Sequence, residues 1–229
     1  MPESRGTGPG AITPDGCAVE LYARLPAGRE PGVVHAAAGD GASILELGCG
    51  AGRVTHSLIG LGHAVTAVDE SQEMLARVRS AETVCARIED LDLDGRRFGA
   101  VLLCSHLLNA PFDSLVRAWL ATCRRHVAPG GCVLIEHHPP AWFDTVADTE
   151  YARDGITFRL RGVTRPEPGY VSGTVEYAVP DTDGGLLWTQ AFAARRLDEE
   201  TLRRLLGEAD LAFGGYLTED HAWLRAVPV

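Results

Sequence analysis

The chain has 229 residues, 45% of them hydrophobic, which is enough to bury one substantial core. The formal net charge is -10 and all 21 basic residues are arginines. The sequence therefore excludes lysine-based catalysis, and it lacks the basic run expected of a nucleic-acid-binding protein. The longest apolar runs, such as residues 100–104, are far shorter than the roughly 20 residues of a membrane-spanning helix, so we expect no membrane span.

The N-terminal segment differs in composition from the rest of the chain. Residues 1–12 are small and polar, without the apolar stretch of a secretory signal, and we predict a disordered leader. Residues 13–30 form a predicted helical cap, because Ala18, Leu21 and Leu25 follow a turn at helical spacing. The six cysteines include no C-x-x-C pair, which favours a reducing, cytoplasmic location.

Residues 31–138 alternate between apolar runs and helical patterns. Strands are predicted at 43–47, 63–68, 83–88, 100–105 and 131–137, and helices at 53–61, 71–79 and 113–126. Strands that alternate with helices indicate βαβ units. This region therefore predicts a parallel sheet with right-handed crossovers.

The pattern changes after residue 138. Segments 156–163, 170–177 and 186–193 alternate side chains with a period of two and predict an antiparallel meander, which forms an insert over residues 150–195. In the last part of the chain, 196–229, an amphipathic helix at 198–209 precedes strands at 212–217 and 222–227. We predict one α/β domain over residues 1–229, with a mostly parallel seven-stranded sheet flanked by helices and the meander inserted after the fifth strand.

The most specific motif is Glu46-Leu47-Gly48-Cys49-Gly50-Ala51-Gly52-Arg53, which follows one predicted strand and precedes one predicted helix. Glycines at these positions allow a tight turn and close approach of the backbone to a ligand. The next predicted strand ends near Asp69, about 20 residues on, where a carboxylate can accept hydrogen bonds from both hydroxyls of a ribose. Together, the glycine turn and Asp69 predict a nucleoside site.

Three stretches resemble motifs of the class I, Rossmann-like S-adenosylmethionine-dependent methyltransferases, namely residues 44–52, 65–71 and 127–131. The resemblance implies S-adenosylmethionine as the methyl donor and S-adenosylhomocysteine as its product. In the family the glycine turn approaches the methionine part of the donor, an acid equivalent to Glu46 orients it, and Asp69 holds the ribose.

One segment departs from the family pattern. Arg87 stands where family members often place an aspartate near the adenine, so we expect Ile88 and Glu89 to line the adenine instead. Met74 is either the other wall of the adenine slot or part of the core. The remaining residues predicted at the donor site are Tyr22, Gly48, Cys49, Gly50, Gly52, Glu70, Cys104 and Ser105.

The catalytic candidates follow the fourth and fifth predicted strands, where ligands bind in open α/β sheets. His106 is a candidate general base, with a structural histidine as the alternative. His137 and His138 are further candidates beside Glu136. Because adjacent side chains of a strand point to opposite faces, these two histidines do not suit one metal ion, and we predict no metal.

The sequence thus predicts methyl transfer to nitrogen or oxygen of a small metabolite, with natural products among the candidates. In topology the insert is similar to that of small-molecule N-methyltransferases, which implies that it covers the donor and encloses a small acceptor. The alternatives are a donor-binding protein that has lost transfer and serves as a scaffold or regulatory subunit, and an enzyme of cyclisation or rearrangement. We expect a monomer or homodimer that does not bind nucleic acid.

Overall fold

The computed structural model describes residues 5–180 and 185–229. These residues form two compact units. The first comprises Ala27–Pro139 and Leu197–Val229, and the second comprises the described residues of Met1–Pro26 and Pro140–Arg196. The division of a single domain into a leader, a helical cap, a core, an insert and a C-terminal part stays a prediction.

The elements alternate between strand and helix in the middle of the chain and are mainly strands afterwards. The strands are β1 (Gly6–Thr7), β2 (Ser43–Leu47), β3 (Ala64–Asp69), β4 (Glu82–Cys85), β5 (Phe98–Leu103), β6 (Val127–Glu136), β7 (Thr149–Arg153), β8 (Ile156–Thr164), β9 (Tyr170–Val179), β10 (Leu186–Arg195), β11 (Leu211–Tyr216) and β12 (Trp223–Pro228). The helices are α1 (Val19–Tyr22), α2 (Glu30–Ala38), α3 (Arg53–Gly60), α4 (Gln72–Leu75), α5 (Asp113–His126), α6 (Pro140–Thr145) and α7 (Glu199–Glu208). Two 3-10 turns lie at Ile88–Asp90 and Leu107–Asn109.

The first unit contains a seven-stranded sheet in the order β11-β12-β6-β5-β2-β3-β4. Strands β2 to β6 are parallel, whereas β12 runs antiparallel to β6 and β11 antiparallel to β12. From β2 the chain moves outward to β3 and β4 and then returns to β5 on the other side. Ligands of open α/β sheets bind at such a reversal, outside the carboxyl ends of the strands.

The central strands of this sheet are buried on both faces. Leu45 and Leu47 of β2 pack on one side with apolar residues of α5 and α7. Ile44, which directly precedes Leu45, packs on the other side with apolar residues of α2 and α3. Because both faces are covered by helices, the strands are continuous apolar runs, as the sequence suggested. The predicted α/β fold is confirmed.

The second unit contains an antiparallel sheet in the order β1-β10-β9-β8-β7. Strands β8, β9 and β10 are the predicted meander, whereas β1 and β7 were not predicted. The expected disorder of residues 1–12 is wrong for residues 5–12. Gly6 and Thr7 pair with β10, and the indole N–H of Trp188 donates to the Pro9 carbonyl at 2.8 Å. Backbone hydrogen bonds to a sheet edge order this segment despite its few apolar side chains. Residues 1–4 lie outside the described residues.

Smaller differences concern the ends of elements. The helix α1 ends at Tyr22 although apolar spacing continues to Leu25, and α4 is shorter than the predicted helix over 71–79. Strand β4 ends at Cys85, so Ile88 lies in a 3-10 turn and not in a strand. The helix α2 was not predicted, because its sequence has apolar residues on most sides and thus no helical period. Within the described residues, no helix combines the length and apolar character needed to span a membrane.

Candidate active site

The glycine turn, residues 48–52, connects β2 to α3 at the carboxyl edge of the seven-stranded sheet. Gly48, Gly50 and Gly52 have φ angles of 70°, 54° and 83°, in the left-handed region that side chains disfavour. A Cβ atom on Gly48 would lie 3.2 Å from Cδ1 of Leu107. One on Gly52 would lie 2.8 Å from Cε1 of His56. The turn therefore requires glycine at these positions.

Asp69 ends β3 and is tied to this turn. Its Oδ2 accepts a hydrogen bond from the Gly50 amide at 2.8 Å, and its Oδ1 accepts one from the Ser71 amide at 2.9 Å. Each carboxylate oxygen has two lone pairs, so both can accept a further hydrogen bond from a ligand. The structure thus brings the two halves of the predicted nucleoside motif together.

Glu46 lies in β2 directly before the turn and is only 3% exposed. The hydroxyl of Thr55, in α3, donates to Oε2 of Glu46 at 2.6 Å. Burial raises the pKa of Glu46 to about 7, although the Thr55 hydrogen bond and the positive charge of Arg53 oppose the shift. Glu46 therefore changes its protonation state near neutral pH.

Arg53, the first residue of α3, forms an ion pair with Glu30 of α2. The two side chains are only 19% and 12% exposed, so the pair is largely desolvated and links α2 to the glycine turn. Sequence reasoning did not place Glu30 in the site. No local signal marks it, since its partner lies 23 positions away in the sequence.

The segment after β4 lies beside the glycine turn. Cδ1 of the buried Ile88 is 3.8 Å from the position of a Cβ on Gly48. Glu89 accepts hydrogen bonds from the Trp119 indole at 3.0 Å and from Nε of Arg87 at 2.8 Å. Burial opposes ionisation of Glu89, but hydrogen bonds from its own backbone amide, Trp119 and Arg87 leave its pKa lowered.

Glu70 and Met74 also lie near the end of β3. The Glu70 carboxylate is 3.9 Å from Nε of Arg87, so this arginine bridges Glu70 and Glu89. Met74 is buried, and its amide donates to the hydroxyl of Ser71, which caps α4. Cys49 and Cys104 are buried as well, and burial raises the pKa of both thiols, which disfavours a nucleophilic role.

A strained turn follows β5 and is fixed to the end of β6. Ser105 and His106 both have a φ of 57°, which costs on the order of 1 kcal/mol for each non-glycine residue. The Ser105 amide donates to Oε2 of Glu136 at 2.7 Å, and the His138 amide donates to Oδ1 of the buried Asn109 at 2.7 Å. Strained backbone of this kind is typical of functional sites.

The rings of His106 and His138 stack with their centroids 3.7 Å apart and an interplanar angle of 19°. Burial lowers the pKa of His106 to about 4 and that of His138 to about 2, so both imidazoles are neutral at pH 7. Nδ1 of His106 is buried and has no hydrogen-bond partner among the described residues. His137 is fully buried, and its ring lies 6.3 Å from that of Tyr216.

Tyr22 belongs to the second unit. Its hydroxyl donates to Oε1 of Gln190 at 3.1 Å, and burial raises its pKa well above the usual value. Its predicted role at the donor site stays a prediction. The described residues contain no group of three or more histidine, cysteine, aspartate or glutamate side chains arranged to hold a metal ion.

Residues 44–131 match the family model of a methyltransferase domain. The stretch that holds the glycine turn and Asp69 is therefore similar to a methyltransferase domain. This agrees with the predicted resemblance to the class I S-adenosylmethionine-dependent methyltransferases, whose methyl donor is S-adenosylmethionine. A curated relative, the ubiquinone biosynthesis O-methyltransferase of Proteus mirabilis (strain HI4320), is 32% identical over 124 residues, which are 48% of this chain and 49% of the relative. The match thus spans about half the length of that relative.

Solved structures share the methyltransferase fold over most of the chain. An S-adenosylmethionine-dependent methyltransferase from Clostridium acetobutylicum ATCC 824 has a TM-score of 0.74 and 17% identity, covering 91% of this chain and 94% of its own. The sugar N-methyltransferase KedS8 from Streptoalloteichus sp ATCC 53650 has a TM-score of 0.70 and 19% identity, covering 97% and 98%. CalS10, an amino pentose methyltransferase from Micromonospora echinaspora solved with S-adenosylmethionine, has a TM-score of 0.68 and 21% identity, covering 92% and 95%.

Proposed function

We propose that this protein transfers a methyl group from S-adenosylmethionine to nitrogen or oxygen of a small metabolite. The observation that carries the proposal is the convergence of the glycine turn, Asp69 and the histidine-bearing turn after β5 at one edge of the seven-stranded sheet. Open α/β sheets bind their ligands at this edge.

The residues at the donor end fit S-adenosylmethionine. A side chain at Gly48 would crowd Leu107 and one at Gly52 would crowd His56, so glycine keeps the turn in the shape proposed to hold the methionine part. Asp69 can accept hydrogen bonds from both ribose hydroxyls, and Ile88 lies beside the turn to pack on the adenine, with Glu89 as the nearby polar group. When bound, S-adenosylmethionine supplies an activated methyl group. These residues hold it in place.

At the acceptor end the protein mainly has to align the acceptor and exclude water, because methyl transfer from a sulfonium is an in-line displacement. The stacked rings of His106 and His138 form one wall of this end. Two hydrogen bonds, from the Ser105 amide to Glu136 and from the His138 amide to Asn109, hold the turn after β5 against the end of β6 and so keep these rings in place. His137 points into the core towards Tyr216 and is left out of the proposed acceptor site.

A small acceptor agrees with the solved structures that share the fold over more than nine-tenths of this chain. One is described as a sugar N-methyltransferase and another as an amino pentose methyltransferase. We extend this to the present chain and propose an acceptor of similar size. Amino sugars and other small natural products are of that size. A monomer or homodimer in the cytoplasm is part of the same proposal.

The test is turnover of methyl-labelled S-adenosylmethionine with a panel of small amines, amino sugars, alcohols and phenols. We expect a product that has gained one CH2 unit by mass spectrometry, and we expect His106→Ala to lower turnover without weakening donor binding. Donor binding without turnover on any acceptor would favour a donor-binding protein that has lost transfer. A product with no added CH2 unit would indicate cyclisation or rearrangement.

A further inference from the structure

Among the described residues, Glu136 is the carboxylate at the acceptor end that has no arginine paired with it directly. It accepts a hydrogen bond from the Ser105 amide at 2.7 Å and forms no ion pair within the part of the chain that the structure describes. The two arginines whose positive charges act on Glu136 are already paired, Arg53 with Glu30 and Arg29 with Asp220. Glu136 is partly exposed, so a ligand can reach it.

The charges around Glu136 favour a cationic ligand. Glu30 acts on Glu136 as a second negative charge, and Arg53 and Arg29 act on it as positive charges. Because these arginines are paired with Glu30 and Asp220, the two pairs cancel and the negative charge of Glu136 remains in excess. Burial and the charge of Glu30 raise the pKa of Glu136. An ammonium group beside it would neutralise this unbalanced carboxylate and compensate its desolvation.

The neighbouring histidines are poor bases for a hydroxyl acceptor. A phenol has a pKa of about 10, some six units above the value of about 4 for His106. The tautomer of His106 also makes it a poor base. A proton on the buried Nδ1 would find no acceptor among the described residues, so the neutral ring keeps its proton on Nε2 and offers a donor there.

An amine makes a smaller demand on the protein. Amines with a pKa near 8, the value of an α-amino group, are already about half neutral at pH 8. The other half is the ammonium ion, which can give its proton to a weak, well-placed acceptor. A partly buried carboxylate meets that need, because general bases work best when their pKa approaches the operating pH.

Building on the proposed function, we infer that the acceptor is a small amine, bound as its ammonium ion against Glu136, and that Glu136 takes its proton. The N–H bond breaks, and the proton moves to a carboxylate oxygen of Glu136. The freed nitrogen lone pair then forms the bond to the methyl carbon of the donor, and the electron pair of the broken carbon–sulfur bond stays on sulfur. The products are a methylated ammonium ion and neutral S-adenosylhomocysteine.

The first test measures binding without turnover. Calorimetry follows a small amine and the alcohol of the same carbon skeleton as each binds to protein saturated with S-adenosylhomocysteine. We expect the amine to bind at least tenfold more tightly than the alcohol, and Glu136→Gln to remove that preference. Glu136→Asp keeps the negative charge and should retain part of the preference for the amine. Glu199→Gln, an exposed change on α7, serves as the control. Equal binding of amine and alcohol to the wild type would overturn the inference.

The second test locates the methyl group on an acceptor that carries both an amine and hydroxyls. We expect N-methylation only, and a roughly 100-fold lower turnover for Glu136→Gln at pH 7, in the range of general base catalysis. The deficit should shrink as the pH rises through the pKa of the amine, because free amine then needs no base.

O-methylation, or a deficit that is the same at every pH, would overturn the inference while the proposed function stands. No transfer to any acceptor would overturn the proposed function, and the inference with it.

Discussion

At the scale of single residues, Glu46 combines a proposed role at the donor site with a cost in stability. Its pKa is about 7 in the folded protein and about 4.3 in an unfolded chain. Between these values the folded state binds the extra proton, so its stability falls as the pH rises from about 4 to 7 and then levels off. The full penalty is on the order of 4 kcal/mol, since each pKa unit corresponds to about 1.4 kcal/mol.

Glu46→Gln should therefore raise the melting temperature at pH 8 and leave it nearly unchanged near pH 4, because the amide never has to ionise in the buried site. Thermal unfolding followed by circular dichroism over this pH range measures the effect. Glu219→Gln, in an exposed loop, is the control and should change little. A variant less stable than the wild type at pH 8 would show that the Glu46 carboxylate stabilises the fold.

The residues of the site differ in how far the sequence reveals them. Glu46, the three glycines and Asp69 belong to local motifs with fixed spacing, so they could be predicted. The Glu30–Arg53 pair and the hydrogen bond from Ser105 to Glu136 join distant segments, and a single sequence contains no signal for such contacts. The pKa shifts of the histidines depend on burial, which likewise follows only from the fold.

At the scale of elements, the glycine turn can be tested with a matched pair of substitutions. Gly52 and Gly62 both have positive φ angles, 83° and 89°. Alanine at either position costs roughly 1–2 kcal/mol of backbone strain. At Gly62 a Cβ meets nothing within 4 Å, whereas at Gly52 it displaces the His56 ring, whose Nε2 accepts a hydrogen bond from the Arg79 amide.

We therefore expect both variants to lose similar stability from strain, with a further loss for Gly52→Ala, and only Gly52→Ala to lose at least tenfold in affinity for S-adenosylhomocysteine. Chemical denaturation gives the free energies of unfolding, and calorimetry gives the affinities. If Gly52→Ala bound the product as tightly as Gly62→Ala, the turn would not be the donor site.

The elements that could be predicted are those with a clear period or a buried apolar run, such as β2, β5 and α5. Those that were missed lack such a pattern. The helix α2 has apolar residues on most sides, β1 has two residues, and every residue of β7 is exposed. Sheet-edge pairing through the backbone orders β1 and β7, and it leaves little trace in the side chains.

At the scale of the whole molecule, the alternation of strands and helices and the later change to a period of two were sufficient to predict the seven-stranded sheet and three of the five strands of the antiparallel sheet. The division of the described residues into two compact units did not follow from the sequence, since each unit combines segments distant in the chain. Which distant segments join one core depends on tertiary contacts, and periodicity does not encode these.

The charge of the chain predicts its behaviour towards polynucleotides. With a net charge of -10, the protein should show no binding to RNA or DNA, even at about 50 mM salt, where phosphate contacts are strongest. Fluorescence polarisation of labelled oligonucleotides measures this. Binding that weakens steeply with added salt would contradict a small-molecule acceptor and suggest a nucleic-acid substrate.

The central claim is that the glycine turn and Asp69 bind S-adenosylmethionine. Calorimetric titration of S-adenosylmethionine and S-adenosylhomocysteine into the wild type and Asp69→Ala tests it most directly, with the exposed change Asp92→Asn as the control. We predict that the wild type and the control bind both ligands and that Asp69→Ala loses about 1–3 kcal/mol of binding free energy, as expected for the loss of a charged hydrogen-bond partner. A folded wild type that binds neither ligand would contradict the account.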